Sequence, residues 1–138
     1  MKIIHRTTVS KSKYGKIIFS NNNLEDHERD TIFCLASFGF NIETLIPSDI
    51  PKSKNPDLLM LGTYWEMKGP STTNEKTIKY HLRKAKKQAD GKAIFDLRHI
   101  KSDRPKIERI IMDLFKNTRE MRRIIILQDE GNLLDIIK

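Results

Sequence analysis

Apolar residues recur along this chain with two periods. Leu24, Thr31, Ile32, Leu35 and Phe38 share one helical stripe, with an Asn cap supplied by the run Asn21-Asn22-Asn23 and Gly39 where a helix should stop. A second helix, about Glu75 to Ala89, carries the thin stripe Ile78, Leu82, Ala85 and Ala89 and is closed by Asp90-Gly91. A third, about Pro105 to Thr118, has its proline in the tolerated first turn and turns Ile107, Ile110, Ile111, Leu114 and Phe115 to one side. The remaining apolar runs read as strands: Lys16 to Phe19, Asn41 to Ile46, Asp57 to Leu61, Thr63 to Lys68, Lys92 to Leu97, Arg123 to Leu127 and Leu133 to Ile137. The pair around Gly62 is the clearest hairpin, and Asp129-Glu130-Gly131-Asn132 joins a second. Pro47 to Pro56 and Gly69 to Asn74 are loops. Helices interleaved with strands predict an α/β fold, and two hairpins among them predict a mixed central β-sheet flanked by helices.

At 138 residues the chain is one domain's length, and we read 1–138 as a single unit: a peripheral N-terminal segment, 1–23, and a core, 24–100, that carries the chemistry. With 38% hydrophobic residues in ordered runs and only 6 Gly and 5 Pro, the composition excludes long disorder. The single cysteine, Cys34, excludes an internal disulfide and a Cys-rich zinc site, and fits a small core residue. No apolar run approaches the roughly 20 residues that span a bilayer. His5, Arg6 and the polar stretch after them interrupt any signal-peptide core. No membrane insertion is expected, and the cytoplasm is the expected site of action. The net charge of +8 favours polyanionic partners, and it is concentrated: Glu75 to Lys92 holds seven basic residues and two acidic ones.

The candidate chemistry lies in the first hairpin. Side chains alternate along a strand, so Glu66 and Lys68 share a face with Tyr64, while Trp65 and Met67 take the other. With Leu61-Gly62 as a two-residue turn, Met60 opposes Thr63, Leu58 opposes Trp65 and Asp57 opposes Glu66. Two facing carboxylates repel and call for a cation between them. Mg²⁺ or Mn²⁺ suits such a pair, because these hard ions take one or two carboxylates and complete their shell with water and phosphate oxygens. Asp57 and Glu66 are then metal ligands, and Lys68 holds water or phosphate: the parts needed for phosphodiester hydrolysis.

At Pro56-Asp57, Glu66 and Lys68 the sequence resembles the PD-(D/E)xK nuclease superfamily, whose fold is that of restriction endonucleases. The wider order looks like the C-terminal tRNase domains of contact-dependent growth inhibition toxins and their phage and mobile-element relatives. It comprises a helix, the hairpin Pro-Asp-Leu-Leu-Met-Leu-Gly-Thr-Tyr-Trp-Glu-Met-Lys, a Gly-Pro-Ser-Thr loop, a Lys-rich helix and the strand Ala-Ile-Phe-Asp-Leu. The resemblance spans about Leu24 to Ile100. It implies a metal-dependent RNase acting on tRNA, delivered from outside the target cell and held inactive by an immunity protein, for which the basic face suggests an acidic inhibitor. It also implies a further acid on the first helix, for which Glu28 is the candidate and Glu25 the fallback, and it allows Lys84, Lys86 or Lys87 to share or take the role of Lys68. A DNA endonuclease of the same chemistry and a non-enzymatic nucleic-acid-binding protein are the alternatives.

Lys79, Arg83, Lys84, Lys86 and Lys87 of the basic helix are candidate phosphate contacts. Ser71 and Thr72 are candidates too, although this loop also offers Thr73 and Asn74 as helix caps. Of the four histidines only His81, on the basic helix, is placed for acid–base chemistry. Trp65 is expected to pack under that helix, and Tyr64 to offer a ring to a base. Asp96 either supports the site or caps a strand end.

Overall fold

The computed structural model describes residues 4–51, 53–69, 75–100 and 103–138. Among them run eight strands and three helices, in the order β1 (His5–Ser10), β2 (Ile17–Phe19), α1 (Asp26–Ser37), β3 (Ile42–Thr44), β4 (Leu58–Met60), β5 (Thr63–Lys68), α2 (Glu75–Gln88), β6 (Lys92–Asp96), α3 (Arg104–Asn117), β7 (Arg123–Leu127) and β8 (Asn132–Ile137). The strands form one mixed sheet, ordered β1-β8-β7-β6-β5-β4-β3-β2. Its parallel centre, β5-β6-β7, is made by the crossovers through α2 and α3, and antiparallel pairs flank it on both sides.

The pattern in the central strands decides the layers. Ala93, Phe95, Ile124 and Ile126 point to the face covered by α2 and α3, where they meet Ile78, Leu82, Ile107, Ile111 and Phe115. The alternate residues Ile94, Ile125 and Leu127 point to the other face and pack with Ile32, Leu35 and Phe38 of the α1 segment. Both faces of these strands are buried, which is why their sequences are almost continuously apolar.

Three expectations need correction. The N-terminal segment carries two strands rather than one: β1 pairs with β8 along its whole length. Its His-Arg-Thr-Thr-Val-Ser sequence is exposed at nearly every position, so no apolar alternation marks it as a strand. The N-cap of α1 is Glu25, not an asparagine: Asn21 instead accepts the Asn23 N–H and binds the Leu45 carbonyl, closing the turn that precedes the helix. Trp65 packs under α1, not α2, because strand alternation sends it to the face opposite Glu66, where its indole N–H donates to the Met60 carbonyl at 2.8 Å.

The helices on the Glu66 face leave part of the sheet bare. Ile18, Glu43, Leu59 and Tyr64 form one cross-strand row through β2, β3, β4 and β5, and Ile18 and Tyr64 remain 60% and 47% exposed. Among the described residues no helix is long and apolar enough to cross a membrane.

Candidate active site

The hairpin forms in the expected register. Leu61 and Gly62 both adopt positive φ, 55° and 71°, the left-handed pair required by a tight two-residue turn, and Met60 faces Thr63 while Leu58 faces Trp65. One step further the ladder changes character. The Asp57 N–H donates to the Trp65 carbonyl at 3.0 Å, and the Met67 N–H donates to Asp57 Oδ2 at 2.8 Å, so the aspartate side chain replaces a strand carbonyl. This bond anchors one oxygen of Asp57 and turns its carboxylate toward that of Glu66.

Glu66 is only 2% exposed, and neither of its carboxylate oxygens has a hydrogen-bond partner among the described residues. A charged group left so is costly, and the cost appears as proton affinity. Burial, reinforced by the negative charge of Asp57, pushes Glu66 up to about 7 against the opposing pull of Lys84 and Lys68. Asp57 is raised as well, chiefly by burial, and less because the Met67 N–H, Lys68 and Lys84 favour its charged form. The pair is an incomplete electrostatic unit: two converging acids, two lysines within Coulombic reach, and buried oxygens that lack a donor.

Helix α2 supplies the other wall. Thr77, His81, Lys84 and Gln88 recur every three to four residues and are half-buried beside the core stripe. Gln88 Oε1 accepts the Asn55 N–H, which fastens this flank to the chain just ahead of Asp57. Lys84 is therefore the lysine of α2 that joins Lys68 at the acid pair. His81 lies on the same flank with its Nδ1 buried and unpartnered among the described residues; burial, then Lys68 and Lys84, depress it to about 4, so it is neutral at pH 7. Lys79, Arg83, Lys86 and Lys87 are exposed and do not belong to this flank. Ser71 and Thr72, with Thr73 and Asn74, lie outside the described residues.

Glu28 occupies the first turn of α1, where its Oε1 accepts the Glu25 N–H at 3.0 Å. Its main contact is thus a helix cap, although its charge still adds to the rise in Asp57. Asp96 does not join the acid pair. It faces α1, accepting from Thr31 Oγ1 at 2.6 Å and from Arg98 Nε and Nη2 at 2.9 and 2.7 Å. Sequence reasoning passed over Arg98, whose side chain is 3% exposed and also reaches Asp30 and Glu130. The Asp-x-Arg spacing at a strand end was the available signal, but nothing in the sequence tells that Asp30 and Glu130 meet there.

The acid pair makes a pH prediction for the metal-free protein. Glu66 titrates near 7 when folded and near its ordinary 4.5 when unfolded, so between these values the folded state holds more protons. Its contribution is therefore intact below about pH 4.5, lost as pH rises to 7, and level above, a total of about 3 kcal/mol. Urea titrations of wild type and Glu66→Gln across pH 4.5–8 report it together with the relief of Asp57: the variant should gain on the wild type with rising pH, by about this order. A difference that stays constant contradicts the assignment.

A family model described as "Contact-dependent growth inhibition CdiA C-terminal domain" matches residues 54–133, more than half of the chain and a span that includes Asp57, Glu66, Lys68 and the whole of α2. No curated protein sequence matches. Among solved structures the fold is similar to that of "CdiA-CT/CdiI toxin and immunity complex from Burkholderia pseudomallei", with a TM-score of 0.67 and 18% identity over 90% of this chain and 100% of that one. At this identity the likeness establishes a shared α/β fold.

Proposed function

We propose that this chain, which belongs to the contact-dependent growth inhibition CdiA C-terminal domain family, is a toxin domain that hydrolyses phosphodiester bonds in RNA, tRNA foremost, with a divalent metal ion. The observation that carries the chemistry is the state of Glu66: a carboxylate 2% exposed, both oxygens without a partner among the described residues, set against a second raised carboxylate. A hard divalent cation fits this donor set, because it satisfies the orphaned oxygens and cancels the repulsion in one contact. Asp57 and Glu66 would hold it, and when bound it would supply an acidified water and stabilise charge on the phosphate.

The chain's own residues do the rest. Lys68 and Lys84 hold a phosphate oxygen and orient the attacking water from two sides. The Met67 N–H keeps one Asp57 oxygen fixed and the other free. Neutral His81 can accept or donate a hydrogen bond through Nδ1 without adding charge. Pro56-Asp57, Glu66 and Lys68 carry the sequence resemblance to the PD-(D/E)xK superfamily that supports this chemistry, and tRNA is preferred on the strength of the resemblance to contact-dependent growth inhibition tRNase domains. Such a domain would act in the cytoplasm of a cell that it enters from outside. The similar solved structure from Burkholderia pseudomallei is described as a toxin and immunity complex, and by analogy an acidic immunity protein is the expected partner here.

Purified protein incubated with tRNA, duplex DNA and single-stranded DNA, in Mg²⁺, Mn²⁺ or EDTA, tests this. Metal-dependent cleavage of tRNA is expected, and either ion should raise the unfolding midpoint at pH 7.5 in wild type but not in Glu66→Gln. Cleavage of duplex DNA alone would instead assign a DNA endonuclease. Binding without cleavage of any substrate would leave a nucleic-acid-binding protein.

A further inference from the structure

We infer that α2 divides two nucleic-acid contacts: the acid centre on one flank, and on the opposite flank a basic surface that grips the phosphate backbone of a folded RNA at a distance from the bond cleaved. The inference rests on the nuclease reading above and concerns how its substrate is held. Two contacts fix the flanks. Gln88 binds Asn55 on the hairpin side, and Lys86 Nζ binds Glu120 Oε2 at 3.4 Å on the side of α3. At 3.6 residues per turn, Lys79 and Arg83 fall with Lys86, whereas Thr77, His81 and Lys84 fall with Gln88. Basic residues that are adjacent in sequence therefore point to opposite sides of the helix.

The far flank opens into a cavity of about 460 Å³ lined by Lys86, Asp90, Lys92, Glu120 and Arg122. Its two acids are already paired, Glu120 with Lys86 and Asp90 with Lys54 at 3.3 Å. Lys79, Arg83 and Arg122 are exposed and Lys92 half-buried, and none of the four has a side-chain hydrogen bond or ion pair among the described residues. Glu75, one turn ahead of Lys79, is the acid that α2 itself contributes to this flank, and the cations outnumber it; such a surface suits a polyphosphate, and nothing in it selects bases.

A substrate touching both flanks must pass over a helix about 10–12 Å across with its side chains. A dinucleotide, with its single phosphodiester at Asp57 and Glu66, would have no further phosphate to offer the far flank. An RNA with helical arms would. Far-flank contacts should thus favour folded RNA over short oligonucleotides without altering the chemical step.

The test compares wild type, Lys79→Glu/Arg83→Glu, the milder Lys79→Gln/Arg83→Gln, and a control of equal charge change, Lys11→Glu/Lys13→Glu, beside the C-terminal end of α1. In EDTA, tRNA binding by fluorescence anisotropy from 50 to 200 mM salt should show Kd raised about tenfold or more by the far-flank reversal, and the slope of log Kd against log salt reduced by about 1.4–1.8, the value for two lost phosphate contacts. The control should keep the slope. With metal, KM for tRNA should rise in parallel at constant kcat, while kcat/KM for a dinucleotide stays at the wild-type value. Unchanged Kd and slope, or equal losses in variant and control, overturn the proposal and leave the flank to an acidic protein partner. A wild type that binds tRNA through this flank but cleaves nothing would sink the nuclease reading alone.

Discussion

Glu66→Gln and Asp57→Asn are each expected to lower tRNA cleavage by about 10²–10³-fold or more while the protein stays folded. Each substitution keeps the shape of the side chain and removes one negative charge from the pair that would hold a cation. The two differ in what else they disturb. Glu66 faces only the carboxyl of Asp57, to which a glutamine amide can donate as the protonated acid does, and the repulsion between the two disappears; the variant should be at least as stable as wild type. Asp57 accepts the Met67 N–H at 2.8 Å, a bond that an asparagine oxygen can keep, so the fold should survive there too. Single-turnover cleavage in Mn²⁺ together with urea unfolding of the same preparations makes the comparison. Cleavage within about threefold of wild type in either variant would remove the acid pair from the mechanism.

Arg98→Met should cost about 3–5 kcal/mol of folding stability. Arg98 is the cation of a buried network: it forks onto Asp96 through Nε and Nη2 and reaches Asp30 at 2.8 Å and Glu130 at 2.9 Å. Burial opposes the charge of Asp96, but the bonds from Arg98 and Thr31 outweigh it and hold the carboxyl below its ordinary range. Without Arg98 a buried carboxylate is left unpaired beside α1, and Asp30 and Glu130 lose the guanidinium they share. The double variant Arg98→Met/Asp96→Asn removes the orphaned charge and keeps an acceptor for Thr31, but its amide cannot also accept the residue 98 N–H that Asp96 Oδ1 holds, so it should recover part of the loss. A single-variant cost below about 1 kcal/mol would show the network to be as weak as a surface pair.

These two clusters differ in how far the sequence discloses them. The acid pair depends on a hairpin only 12 residues long, from Asp57 to Lys68, closed by a two-residue turn, and strand alternation then dictates which side chains face together. The grouping of Asp57, Glu66 and Lys68 is accordingly legible in the sequence alone. The Arg98 network joins residues as distant in sequence as Asp30 and Glu130, and no local period reports such a meeting. The edge strand β1 was illegible for a related reason: it is held by backbone pairing to β8, and its exposed side chains carry no pattern.

The sequence by itself determined the three helices, seven of the eight strands, the mixed α/β class and the register of the hairpin, because each follows from contacts a few residues apart. Only the tertiary structure decided which helix lies on which face. Trp65 went under α1 because the parallel crossover through α2 put that helix on the Glu66 side. The same crossover decided the rotation of α2 about its axis, since the buried stripe Ile78, Leu82 and Ala85 must meet Ala93 and Phe95. That rotation brings Lys84 to the acid pair, sets His81 on the same flank near Lys68 and Lys84, and turns Lys79 and Arg83 away. A run of lysines reports charge, but the direction each one points is settled by what its helix buries.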